Sequence, residues 1–493
     1  MNSETALLGP GGITFLGFYI LSLILIGWFG KKARKENSLS DFYLAGRGMG
    51  LLVLFLTLYA TQYSGNTLVG FAGRAYREGY QALVLVTLLS AAVGAFIVYA
   101  PKLYRLSKKH KFITPADYVH FRFKNNKLTL FASSLCLMAL ANYILTNLKA
   151  IGYIVVSVTG GVVPFAYGVI ALSLVMVIYE TMGGMRSVAW TDSLQGIILM
   201  IGVITIFITI QIEYGGFEFI YNAIQESNPK KFTPLSFTQK LSWLSTLCLG
   251  FFGISIYPHA VQRIYSANNE KTLKRSIQIM AFMPIVTTLF MVVVGLTALA
   301  LFPGLDRQAS EGATLLVLKD LSQRGAIGTG MMVLFLSATI AAIMSTVDSA
   351  LLSMSSIITK DFYTRLRPSK SQAELTRVGK MISWAIMAFS VYLAIVLPQT
   401  IWRLLEIKLE LLIQVSPAIF LGLYFKKITS KSILWGMTFG TLFAVSTMVA
   451  NKLGVDIPAK PFGVHAGVWG LIINLAIVFI LEKINQSKNE EVI

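Results

Sequence analysis

Apolar stretches long enough to cross a bilayer recur along almost the whole chain, about 13 of them when each is asked to span roughly 30 Å of hydrocarbon as a helix. They fall at approximately 12–30, 48–73, 80–100, 128–157, 163–182, 187–211, 241–262, 277–302, 326–358, 376–397, 401–424, 431–452 and 465–482. In lipid every backbone polar group must be satisfied internally, which leaves only helices or a closed barrel. Alternation over about ten residues, the mark of a barrel strand, is absent. The expected fold is therefore an all-α integral membrane bundle with the lipid bilayer as its solvent. Composition agrees: of 493 residues 55% are hydrophobic and 13% charged, too few charges to cover a soluble protein of this size. Met1 to Gly12 carry no basic residue, and no small-residue cleavage pattern follows the first stretch, so it reads as a retained span.

The net charge of +19 invites a nucleic-acid reading, but its placement is topological. With the N-terminus outside, about 29 of the 42 Lys and Arg residues fall on the inner side, about 10 outside and about 3 within spans. The clusters Lys31 to Lys35, Lys102 to Lys127, Arg263 to Arg275 and Lys360 to Lys380 all lie on the inner side. This predicts a multi-pass protein of the inner (plasma) membrane with a cytoplasmic C-terminus and no nucleic-acid partner. Cys136 and Cys248 sit inside spans and offer no disulfide scaffold or metal finger, and the four histidines make no helical metal pair. No loop exceeds about 30 residues, and no phosphate-cradling Gly-rich loop ends in Lys-Ser or Lys-Thr. An enzyme or ATPase is not expected, nor is any obligatory protein partner. Uphill transport then draws on an ion gradient.

Two spans are interrupted where a helix should be most regular. In the second, Tyr59-Ala60-Thr61-Gln62-Tyr63-Ser64-Gly65-Asn66-Thr67 places polar residues and Gly near mid-membrane; in the seventh, Gly250, Gly253, Ser255 and Pro258 break an apolar run. Broken helices at matching positions of two inverted repeats expose carbonyls that bind ions, provided lipid is excluded. Ordinary packing kinks produce the same pattern. In the ninth span Ala342, Ser345, Thr346 and Ser349 share one stripe. Two adjacent hydroxyls facing carbonyls of an unwound segment make a set of uncharged oxygens suited to a small hard cation such as sodium; such stripes also pack helices closely. Asp348 is costly in a span, on the order of 3 kcal/mol unless paired or facing water. Asp192 is a candidate partner across the bundle, giving a second cation site or a proton-titrating pair; a structural Asp bonded to nearby hydroxyls is the alternative. Lys149 meets a substrate carboxylate or snorkels outward. Glu406 and Glu410, with Lys408 on another face, read equally as an interfacial helix end or a gate, and no site is assigned there.

These residues resemble a known family. The stretch from Glu180-Thr181-Met182-Gly183-Gly184 through Arg186 and Asp192 to Gly196 is similar to the signature of the sodium:solute symporters. Phe42-Tyr43-Leu44-Ala45-Gly46-Arg47, Pro258-His259-Ala260-Val261-Gln262-Arg263, and Ala341 to Ser349 continuing to Asp361-Phe362-Tyr363 agree in order. The resemblance implies a leucine-transporter-type core of two inverted five-helix repeats over 48–424, an extra N-terminal helix over 12–30, two C-terminal helices over 431–482 and a cytoplasmic tail over 483–493. It implies sodium held by the carbonyls of Ala60, Tyr63 and Ala342 and the hydroxyls of Ser345 and Thr346. Some members have a second sodium site, which here implies Asp192, Ser345 and Ser349 with Asp348 in place of a hydroxyl; that departure leaves a proton as an alternative ion there. Solute contacts are expected from Gln62, Ser64, Asn66 and Thr67 and from Ser255 and Tyr257. The sequence looks nearest to the proline and pantothenate branches. Yet Gln62 and Asn66 stand where proline carriers place an acidic residue and a tryptophan, which counts against proline.

The resulting expectation is a sodium-coupled symporter that imports a small polar organic solute (an amino acid, a pantothenate-like compound or another carboxylate) by alternating access. Two other classes stay open: a sensor or receptor that kept the transporter fold, and an ion-translocating subunit of a membrane complex.

Overall fold

The computed structural model describes residues 7–397, 408–453, 458 and 460–490, and these are helical apart from their connections and one isolated bridge between Met49 and Ala267. Among the described residues ten helices are long and apolar enough to cross a membrane, or eleven if a pair bent by 52° at Tyr257 is one span. Two expected crossings are not among these. The stretch at 48–73 is divided between a short apolar helix, Leu51–Gln62, and the turns after it. Of the stretch at 401–424, residues 401–407, Glu406 included, lie outside the described residues, as do 491–493 of the expected tail.

The helices used below are α1 (Pro10–Lys32), α2 (Leu51–Gln62), α3 (Val84–His110), α4 (Asn126–Val158), α5 (Phe165–Gly183), α6 (Met185–Glu213), α7 (Phe237–Cys248), α8 (Pro258–Ser266), α9 (Phe290–Leu301), α10 (Ala326–Ile357) and α11 (Gln372–Val396). Burial ranks them. The apolar window of α10 is 83% buried, against 22% for α1 and 28% for α11. Helix α10 is therefore the axis of the bundle, with α4 and α6 packed along it and α2 and α8 touching it. The peripheral helices turn Phe18, Ile212 and Tyr392 outward, where lipid solvates apolar side chains at no cost. Helix α1 packs on α5 and α6, and the helices Ser430–Lys452 and Ala466–Glu490 pack chiefly on each other.

The turn between α5 and α6 carries part of the signature stretch. Gly184 has φ +62°, and a Cβ there would lie 2.2 Å from the Phe42 carbonyl oxygen, so only glycine fits. Arg186 then donates to Asp41 Oδ1 at 2.9 Å, joining the Glu180–Gly196 and Phe42–Arg47 motifs into one structural corner.

Both expected breaks are present. Helix α2 stops because Tyr63 (φ −106°, ψ 96°) and Ser64 (φ −87°, ψ 174°) are extended, and a short turn Gly65–Leu68 follows. Its last carbonyls are released from helical pairing, as at any helix end. In the seventh span the helix widens at Leu249–Gly253, tightens at Ile254–Ile256 and breaks at Tyr257. Pro258 enforces the break: it lacks an N–H and disfavours helical geometry in the residue before it. One expectation is corrected here. Arg263, grouped by sequence with an inner-loop basic cluster, lies on α8 and is 0% exposed.

Candidate functional site

The break in α2 faces α10. Ser345 donates its hydroxyl to the freed carbonyl of Ala60 at 2.9 Å and to Ala342 O at 3.2 Å; Thr346 donates to Ala342 O at 2.8 Å. Ala60, Tyr63, Ala342, Ser345 and Thr346 are all buried. The two chain segments approach so closely that a Cβ on Gly65 would lie 2.1 Å from Ile343 Cγ1. The structure thus brings Ala60, Ala342, Ser345 and Thr346 together as a cluster of uncharged oxygens, with Tyr63 at the break itself. Such a cluster is chemically suited to a hard monovalent cation and offers no nitrogen or sulfur ligand.

Further along α10 the carboxylates have company that sequence reasoning did not anticipate. Arg263 Nη2 lies 2.8 Å from Asp192 Oδ2, both side chains being fully buried. Arg263 also donates to Thr57 Oγ1 at 2.8 Å, to the His259 carbonyl at 3.0 Å and to the Ser349 hydroxyl. Thr57 in turn donates to Asp192. Asp348 accepts from Tyr179 at 2.5 Å and from Ser349 at 3.2 Å. Asp192, Asp348 and Ser349 are therefore neighbours, but the positive charge among them is a guanidinium. Two carboxylates against one arginine leave one negative charge in this buried group when both acids are ionised.

A cavity of about 40 Å³ lies between the two broken segments, lined by Gln62, Ser64, Asn66, Thr67 and Tyr257 among others. These are five of the six residues expected to meet solute. Ser255 does not reach it: its hydroxyl is spent on Phe251 O at 2.5 Å and its carbonyl on the Tyr99 hydroxyl at 2.5 Å. A serine in a helical run commonly bonds back to the residue four before it, a signal that was available in the sequence. Lys149 is not in the lining either; the lysine there is Lys408. Its ammonium sits 3.3 Å from the centroid of the Tyr143 ring and 5.6 Å from that of Tyr257. Tyr143, Tyr257 and His259 stack into one aromatic wall, with centroids 4.9 to 5.7 Å apart. The Tyr143 hydroxyl lies near those of Ser64 and Thr346, which brings this wall alongside the oxygen cluster.

Comparison with known proteins gives the family and the fold. The model of the Sodium:solute symporter family matches residues 42–440. The sodium/proline symporter of Staphylococcus aureus (strain bovine RF122 / ET3-1) is 27% identical over 492 residues, covering 96% of this chain and 92% of the relative. Among solved structures, the substrate-bound outward-open state of a Na+-coupled sialic acid symporter superimposes with a TM-score of 0.80 at 21% identity, covering 97% of this chain and 98% of that one. A closed conformation of Mhp1, a nucleobase-cation-symport-1 family transporter, gives 0.52 at 12% identity, covering 90% and 95%. The fold is thus of the leucine-transporter type, with a core of two inverted repeats each opened by a broken helix.

Proposed function

The chain belongs to the sodium:solute symporter family, and from that premise we propose where its ion and solute sit. It is a multi-pass, sodium-coupled solute symporter and not an enzyme. In our reading the transported sodium is held by the carbonyls of Ala60, Tyr63 and Ala342 with the hydroxyls of Ser345 and Thr346. The observation that carries this is the 2.9 Å approach of Ser345 Oγ to Ala60 O across the helix break. Sodium there bridges the broken half-helix α2 to the bundle axis and organises the adjacent cavity. A small polar organic solute binds beside it, against Gln62, Ser64, Asn66, Thr67 and Tyr257. Coupling requires that sodium favour one state of the alternating-access cycle, since an ion indifferent between states drives nothing.

Because Asp192 and Asp348, when both are ionised, outnumber Arg263 by one charge, this group supports a second coupled cation at Asp192, Asp348 and Ser349, either sodium or a proton. The bundle is divided as a core over 48–424, with the helices at 12–30 and 431–482 outside it and a tail over 483–493. The bias of basic residues supports an inner-membrane location with the N-terminus outside and the C-terminus cytoplasmic. Uptake into proteoliposomes tests the ion site. Ser345→Ala with Thr346→Ala is expected to raise the half-maximal sodium concentration at least about tenfold, as the loss of roughly 1.4 kcal/mol of ligation does, while membrane insertion is retained. Unchanged sodium activation in that variant rules the site out.

A further inference from the structure

Among the described residues nothing balances the ammonium of Lys408 in the central cavity. Lys408 is 0% exposed, and among the described residues its Nζ has no hydrogen-bond partner. Among the described residues no Asp or Glu lines the cavity. An ammonium in a buried site is costly unless it is paired or hydrogen-bonded, and the face of Tyr143 offsets that cost only in part. Two further nitrogens on the same lining, Gln62 Nε2 and His259 Nδ1, are shielded from solvent and also lack a partner. Gln62 and Lys408 are N–H donors, and His259 Nδ1 donates in one tautomer. A carboxylate offers about four lone-pair positions, enough for all three. The lining further includes apolar Phe71, Leu88 and Ile254, the hydroxyls of Ser64 and Thr67, and the amide of Asn66.

We infer that Lys408 is the anion-recognising residue of this cavity and that the solute is a small carboxylate of net negative charge. This rests on the symporter reading above and narrows it to one substrate class. The carboxylate pairs with Lys408 and accepts from Gln62, while an apolar or hydroxyl-bearing body lies against Phe71, Leu88 and Ser64. A zwitterion is the poorer match, because no acidic side chain among the described lining residues receives its ammonium. At about 40 Å³ the cavity holds only a few waters, so a solute of this class enters a widened form of it.

The test is thermal unfolding of the purified full chain in detergent, with and without sodium. The probes are lactate, propionate and pantothenate, each against its neutral counterpart (lactamide, propionamide, panthenol), and L-proline as the zwitterion. Expected is sodium-dependent stabilisation by at least one carboxylate, little by its neutral counterpart, and less by L-proline. Lys408→Met is expected to raise the half-maximal concentration of that carboxylate by at least about 30-fold, the lower end for truncating one partner of a buried charge pair. Lys408→Arg is expected to keep most of the response. Stabilisation by sodium alone should persist in both variants, which shows that they are folded. The inference is overturned if a neutral counterpart or L-proline acts as well as the carboxylate, if Lys408→Met leaves the concentration unchanged, or if no carboxylate acts on the wild type. Should Lys408→Met not fold, the wild-type comparison of charged and neutral probes decides alone. Absence of any stabilisation by sodium counts instead against the proposed ion site.

Discussion

Replacing Arg263 is the sharpest probe of how this bundle tolerates charge. Arg263 and Asp192 are both 0% exposed and 2.8 Å apart, and the guanidinium also serves Thr57, the His259 carbonyl and Ser349. Breaking a buried pair by removing one partner costs about 3–5 kcal/mol, because the other charge is left uncompensated. The two single variants should not be equal. Arg263→Met leaves Asp192 and Asp348 together with no cation, whereas Asp192→Asn leaves Arg263 beside Asp348, which lies within Coulombic reach of it. We expect about 4 kcal/mol for Arg263→Met and about 2 kcal/mol for Asp192→Asn, nearer the cost of a charged hydrogen bond. The double variant should lose less than the sum by at least about 1.5 kcal/mol, a coupling energy usual for residues in contact. The assay is unfolding from mixed micelles by increasing SDS, followed by tryptophan fluorescence. Arg263→Met unfolding at the wild-type SDS fraction, or strict additivity of the two changes, would refute the charge accounting.

Two further outcomes follow from close contacts. Gly65→Ala drives a methyl to 2.1 Å from Ile343 Cγ1; we expect a loss of about 1–3 kcal/mol from overpacking together with weaker sodium activation of uptake, and partial recovery when Ile343→Ala makes room, whereas a fully active single variant contradicts the close approach of α2 and α10. Asp348→Asn keeps the hydrogen-bonding shape toward Tyr179 and Ser349 but removes the unbalanced charge, so stability should change by about 1 kcal/mol or less while the sodium Hill coefficient or the pH profile of uptake changes; if neither moves, Asp348 is a structural residue.

How far the sequence reaches depends on the range of the interaction. The spans follow from local composition, and both breaks follow from local chemistry, Gly65 and Pro258 in particular. The stripe of Ser345 and Thr346 is legible because helical spacing fixes a face, and the opposing carbonyls belong to the one other segment that cannot close its own ladder. Arg263 was not legible. It lies near the inner end of a span beside a basic run, and its partners, Asp192 and Thr57, are 71 and 206 residues away in sequence. Lys408 was misleading for the same reason: alternation with Glu406 and Glu410 resembles a wetted helix end, whereas the fold lays its ammonium against the rings of Tyr143 on α4 and Tyr257 at the broken seventh span. Ser255 was over-read, since a polar residue at a break is as often consumed by its own backbone as offered to a ligand.

The arrangement also bears on how ion and solute become coupled. Thr346 belongs to the proposed sodium cluster, and its hydroxyl lies near that of Tyr143, whose ring face carries Lys408 at 3.3 Å from the centroid. Tyr143 sits on α4, which packs along the bundle axis, whereas Ser64 and Gln62 belong to the broken α2 segment. In the proposed arrangement, sodium drawing Ala60 toward Ser345 would fix the position of Ser64 and Gln62 relative to the Tyr143 wall, the geometry an incoming solute would read. A solute bridging Gln62 to Lys408 fixes the same two surfaces from the cavity side. Each ligand thus lowers the ordering cost of the other, and by linkage the two effects are equal in free energy. On this account no long pathway is needed: both proposed sites border Tyr143, and the coupling is the stiffness of the contact between the turn Gly65–Leu68 and α4.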